Sequence, residues 1–104
     1  MKKVDFETIR AKVKAGDYEI SLHASERMRQ RGLTFDDLEQ VIIYGEIIER
    51  DYQAKPFPKC IFLGYDSLKG EAWHVVCSLT PQSRIVTVYF PDEDEWSQAK
   101  FRRK

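Results

Sequence analysis

The stretch Ala72-Trp-His-Val-Val-Cys-Ser-Leu-Thr-Pro-Gln-Ser-Arg-Ile-Val-Thr-Val-Tyr-Phe90 decides the fold. Two runs of β-branched and aromatic residues, 72–80 and 84–90, flank the breaker Pro81-Gln-Ser83. Such runs read as strands, and so short a connection makes them antiparallel neighbours. Alternation then assigns faces. Trp73, Val75, Cys77 and Leu79 point one way, and His74, Val76 and Ser78 the other. On the second strand Val86, Val88 and Phe90 form the more apolar set, opposed by Ile85, Thr87 and Tyr89. Helices are expected to cover the first set. His74, Thr87 and Tyr89 then share an open face.

Working upstream, residues 60–65 repeat the strand pattern and are joined to the first run by a turn at 66–70. Residues 46–52 read as a further strand. The segment 53–58 carries two prolines, which break both helix and central strand, and it reads as a loop. Before Gly45 the period changes to that of a helix. Phe6, Ile9 and Val13 mark one helix over 4–15, ended by Gly16. Residues 18–20 form an extended link. A second helix runs over 22–31 between the N-cap Ser21 and the stop Gly32. Thr34-Phe-Asp-Asp37 reads as a capping box for a third, with Phe35, Leu38, Val41 and Ile42 facing inward. Downstream, the acids of 92–95 favour a last helical turn over 96–101. Helices first and strands after predict an α+β chain, with N-terminal helices packed on one face of a three- to four-stranded, mainly antiparallel sheet.

A chain of 104 residues supports one domain, 1–104. Its 42% hydrophobic content argues against disorder. The 17 basic and 17 acidic side chains cancel, which counts against tight, indiscriminate nucleic-acid affinity. The charge is uneven, however: residues 92–95 are all acidic and residues 100–104 are mostly basic. Cys60 and Cys77 lack the C-x-x-C spacing and are expected as reduced thiols. No apolar leader and no apolar run of membrane length is present. The cytoplasm is the expected compartment, with no membrane contact.

The second helix carries the chemistry. His23, Arg27 and Arg31 recur every fourth residue and share one stripe. Guanidinium groups bind phosphate in fork geometry, and imidazole moves protons near neutral pH. His74 and Tyr89 offer the same proton chemistry on the sheet. Each residue also has a structural reading. His23 serves a backbone group at the helix end. Arg27 and Arg31 cover Ala24 and Met28 with their stems, or pair with Glu26, Glu46 or Glu49. His74 is a satisfied sheet histidine, and Tyr89 packs. His23, His74, Cys60 and Cys77 fit no zinc pattern, so neither a metal nor another cofactor is expected.

Several blocks, in this order, resemble a small bacterial domain family of uncharacterised function. They are Ser21-x-His-Ala-x-x-Arg-Met-x-x-Arg-Gly32, Gly45-Glu-Ile-Ile-Glu-x-x-Tyr52, Trp73-His-Val-Val76, Val86-Thr-Val-Tyr-x-Pro-Asp92 and Trp96. The likeness covers residues 18–97. That family in turn resembles toxins of the RelE and MqsR kind, and some members lie beside genes for zinc-finger antitoxins. The resemblance implies a RelE-like fold and a toxin that acts as a metal-independent RNA endonuclease, an mRNA interferase. It also implies an antitoxin partner of zinc-finger type and RNA, ribosome-bound, as substrate. On this likeness His23, His74 and Tyr89 are catalytic and Arg27 and Arg31 hold phosphate. RelE-like toxins are strongly basic and this chain is neutral. The alternative from another class is therefore a non-catalytic protein- or RNA-binding module on the same surfaces.

Overall fold

The computed structural model describes residues 4–103, so Lys104 of the basic tail lies outside it. Three helices, α1 (Glu7–Lys14), α2 (Leu22–Arg31) and α3 (Phe35–Tyr44), come first, with the strand β1 (Glu19–Ile20) between α1 and α2. Strands β2 (Glu46–Asp51), β3 (Lys59–Tyr65), β4 (Ala72–Ser78) and β5 (Arg84–Tyr89) follow, then β6 (Trp96–Ser97) and β7 (Phe101–Arg102). The fold is α+β, as the sequence pattern predicts. Its main sheet has five strands in the order β1-β5-β4-β3-β2 rather than three or four. The added strand comes from the link at 18–20, which pairs in parallel with β5 through Glu19↔Arg84 and Ile20↔Ile85. All other neighbours are antiparallel.

The helix ends follow the sequence. Ser21 Oγ accepts from Ala24 N at 3.0 Å, and Gly32 adopts a left-handed φ of 76° that a Cβ would disfavour. Ser21 Oγ also donates to Val86 O at 2.7 Å, which ties the start of α2 to β5. Thr34 Oγ1 caps Asp37 N at 3.1 Å. The capping box is only half made, because the Asp37 carboxylate turns away and accepts from Ser67 N and Ser67 Oγ. Phe35 is exposed rather than inward. It stands in the first turn, where α3 meets the polar turn at Ser67, and the buried apolar stripe begins at Leu38. Arg10 Nη1 donates to the carbonyls of Ile42, Ile43 and Gly45, supplying partners that the last turn of α3 lacks. Gly64 permits close approach: a Cβ there would stand 2.8 Å from Val41 Cα.

Two apolar clusters divide the strand residues. The larger joins Ile9, Val13, Ala24, Met28, Leu38, Val41 and Ile42 of the helices to Phe62, Val75, Cys77, Ile85 and Val88. The smaller joins Ile61 and Val76 to Trp96, with Ile48, Val86 and Tyr89 against them. The expected face assignment holds for β4 and, on β5, for Val88, Tyr89 and Phe90, but is inverted for Ile85 and Val86. A bulge between the Val76↔Thr87 and Cys77↔Ile85 pairs gives β5 one extra residue. That residue is Val86, so Ile85 and Val88 share the larger cluster and Val86 joins the smaller. A second bulge, between Ile47 and Glu49, does the same for β2.

The helical turn expected over 96–101 is instead a hairpin, β6 paired with β7 through Trp96↔Arg102 and Ser97↔Phe101. Trp96 is 2% exposed and packs on the smaller cluster. The sheet face that the sequence leaves open is therefore covered where Trp96 lies. Among the described residues no helix is long and apolar enough to cross a membrane.

Candidate functional site

The five candidate residues separate into two groups. Ala24 and Met28 are the residues α2 buries. His23, Arg27 and Arg31 fall off that stripe, with His23 and Arg31 exposed and Arg27 half-buried. His23, Glu26, Arg27 and Gln30 line a shallow depression of about 220 Å³. Of the acidic partners considered for the arginines, Glu26 lines that depression without an ion pair among the described residues, and the other two are engaged elsewhere. Glu46 holds Lys100 at 2.8 Å, and Glu49 holds Arg102 at 2.7 Å. Among the described residues Arg27, Arg29 and Arg31 enter no ion pair. The Arg31 guanidinium lies 5.3 Å from the Phe90 ring centre, and Phe90 stacks at 4.2 Å on Trp73. This cation–π contact fixes the base of a charge whose outer edge stays in water. No hydrogen bond of His23 to the backbone occurs among the described residues, and Ser21 Oγ caps α2 instead.

His74 and Tyr89 form the second group. They are register partners on β4 and β5. Both alternate away from the cluster that holds Ala24 and Met28, so the sheet stands between them and the exposed face of α2. The structure brings His74 to Tyr89 and does not bring either to His23.

His74 is not on an open face, because it is 0% exposed under the hairpin. Its Nε2 lies 2.6 Å from Ala99 O and its Nδ1 3.2 Å from Tyr89 Oη. A carbonyl only accepts, so Nε2 carries the proton and donates. Burial lowers the His74 pKa from its ordinary 6.5, which keeps the ring neutral. Nδ1 is then an acceptor for the Tyr89 hydroxyl, whose own pKa burial raises. The chain Tyr89 → His74 → Ala99 ends on a backbone carbonyl that cannot take a proton. In this arrangement both imidazole nitrogens and the phenol proton are engaged within the chain.

Trp96 completes the enclosure, edge-on to His74 at 4.4 Å and 89°. Arg102 lies 4.5 Å over the Trp96 ring and holds Glu49 with two hydrogen bonds of 2.7 and 2.9 Å. That guanidinium lowers the Glu49 pKa. Tyr89, Glu49, Lys59 and Arg102 border a cleft of about 340 Å³ beside the hairpin. The turn between β6 and β7 is closed by Lys100 N to Ser97 O at 3.0 Å, with Gln98 and Ala99 at φ 56° and 60°. Left-handed backbone at residues other than glycine costs about 1–2 kcal/mol each.

Sequence reasoning offered Glu49 to the α2 arginines and missed its pairing with Arg102, because an ion pair between residues 53 apart leaves no local pattern. It missed the hairpin because a primed turn prefers Asn-Gly, and Gln98-Ala99 carries no such signal. Burial pushes the Cys60 thiol up to about 12 and raises that of its neighbour Cys77 as well, so both buried thiols stay protonated. Among the described residues no three His, Cys, Asp or Glu side chains converge as metal ligands.

No curated protein and no solved structure matches the chain. A family model described as a domain of unknown function (DUF4258) matches residues 20–90, a span from β1 to the end of β5 that includes all five candidate residues, and the chain belongs to that family.

Proposed function

We propose that this chain is an RNA-associating domain of the RelE and MqsR toxin kind, which grips a phosphodiester on the exposed face of α2. The observation that carries the reading is the group of His23, Arg27 and Arg31 on one helical face, His23 and Arg31 exposed and Arg27 half-buried, with both guanidinium groups outside any ion pair among the described residues. An unpaired arginine keeps its donors for a phosphate, and two of them one turn apart offer two fork contacts. The neutral total charge supports binding that is local and weak in isolation, with a larger assembly such as the ribosome supplying the remaining contacts. In a toxin–antitoxin pair, an acidic antitoxin surface complements the same face. All three helices contribute to the larger cluster, which supports a RelE-like layer of helices on one sheet face.

Binding is the activity this geometry supports best. Cleavage without a metal needs a base and an acid on the same phosphodiester. On the α2 face His23 is the one imidazole, since the chain has two histidines and His74 is buried. The test is a short single-stranded RNA titrated with wild type, with His23→Ala and with Arg27→Ala/Arg31→Ala, in excess chelator, followed by analysis of the RNA for breaks. Binding is expected to be lost in the arginine variant and retained in His23→Ala. RNA breaks that depend on His23 promote the domain to a nuclease. Equal affinity of wild type and arginine variant overturns the reading.

A further inference from the structure

We infer that residues 96–103 form a removable strap over a second, occluded site made by His74, Tyr89 and Glu49. The hairpin belongs to its own two-stranded sheet and shares no strand pairing with the five-stranded one. Apart from Trp96, the contacts described above that fasten it are two ion pairs at its edge and one hydrogen bond from buried His74. Lys100 reaches Glu46, Arg102 reaches Glu49, and Ala99 O accepts a hydrogen bond from His74 Nε2. Both ion pairs join side chains that are about one-third to one-half exposed, so water and salt weaken them. The turn holds Gln98 and Ala99 in left-handed backbone, so closure works against local strain. Trp96 Nε1 is buried with no partner, a deficit that water would relieve on opening.

What the strap covers is as telling as how it is held. It engages His74 Nε2 and both Glu49 oxygens, polar groups that face away from the larger cluster. The charged groups acting on His74 are Glu49 from β2 and Arg102 from β7, with the Tyr89 hydroxyl facing it from β5. Lifting the hairpin removes Arg102 and Ala99 together. It leaves an imidazole, a phenol and a free carboxylate on one sheet face, a set able to exchange protons with a hydroxyl-bearing ligand. This inference is independent of RNA binding by α2.

The test reads access to His74 with diethylpyrocarbonate as the probe, quantified at each histidine by peptide mass spectrometry, and needs no RNA. Exposed His23 is the internal reference. In wild type His23 is modified and His74 is protected. Lys100→Glu with Arg102→Glu sets acids against Glu46 and Glu49, and is expected to speed His74 modification at least about tenfold while a cooperative melt persists. A folded double variant whose His74 stays as protected as in wild type overturns the strap. Should the double variant fail to fold, hydrogen exchange on wild type decides. Amides of 97–102 that open with little denaturant dependence support the strap, and amides that open only with global unfolding overturn it.

Discussion

His23 and His74 mark two regions built by opposite rules. Around His23 the helix carries arginines that enter no ion pair among the described residues, so their donors are spare. Around His74 imidazole, phenol, carboxylate and guanidinium are all engaged, and among the buried side-chain polar atoms described there Trp96 Nε1 lacks a partner. The first region is the one we propose meets a ligand outside the chain. The second spends its chemistry on the chain itself. Residue type alone does not distinguish them, since both pair a histidine with groups suited to phosphate or proton chemistry. Burial and partner count do.

The largest effect that sharpens this contrast is at Trp96. Trp96→Ala empties a site only 2% exposed, and is expected to cost about 3–5 kcal/mol by urea denaturation while leaving RNA affinity of the α2 face unchanged. Loss of RNA binding in a folded Trp96→Ala protein would break the separation. Next comes the reverse experiment. Arg27→Ala/Arg31→Ala is expected to weaken RNA binding by about 2–3 kcal/mol. The slope of log affinity against log salt should fall by about 1.4, two single-strand phosphate contacts. Stability should change by under about 1 kcal/mol, because neither arginine holds an ion pair within the described chain.

The pH dependence of stability separates the regions again. Burial holds His74 below its ordinary 6.5, so the folded chain binds fewer protons than the unfolded one once pH falls below that value. Stability is then full above about pH 6.5, declines by at most about 1.4 kcal/mol per pH unit, and levels off beneath the folded pKa. Glu49, lowered chiefly by Arg102, contributes stability above its ordinary 4.5 that is lost as pH falls through its folded value. Urea midpoints measured between about pH 8 and pH 5 should show the first decline in wild type and not in His74→Gln. The smallest effect is at the turn. Ala99→Gly removes a left-handed alanine and is expected to stabilise by about 0.5–1 kcal/mol, after the greater chain entropy of glycine is deducted.

The contrast also explains what the sequence revealed. Local rules were legible because local residues enforce them. Ser21 and Gly32 bound α2, Thr34 caps α3, and alternation on β4 places Val75 and Cys77 inside and His74 away from them. The exposed arginine face is legible for the same reason, since helical period alone defines it. What stayed hidden depends on distant partners. One extra residue at Val86 inverts the faces of β5 upstream of it, and no residue type announces a bulge. Asp37 prefers Ser67, 30 positions away, to its own capping box. The sheet face around His74 reads as open until a segment with no turn signature folds back across it.

The separation of the two regions is tested most directly by amide and imidazole NMR of the folded chain titrated with a short single-stranded RNA. Shifts confined to His23, Arg27, Gln30 and Arg31, with His74, Tyr89 and Trp96 unmoved, are the expected result. Shifts at His74 or along the 96–103 hairpin, with the α2 face silent, would contradict it.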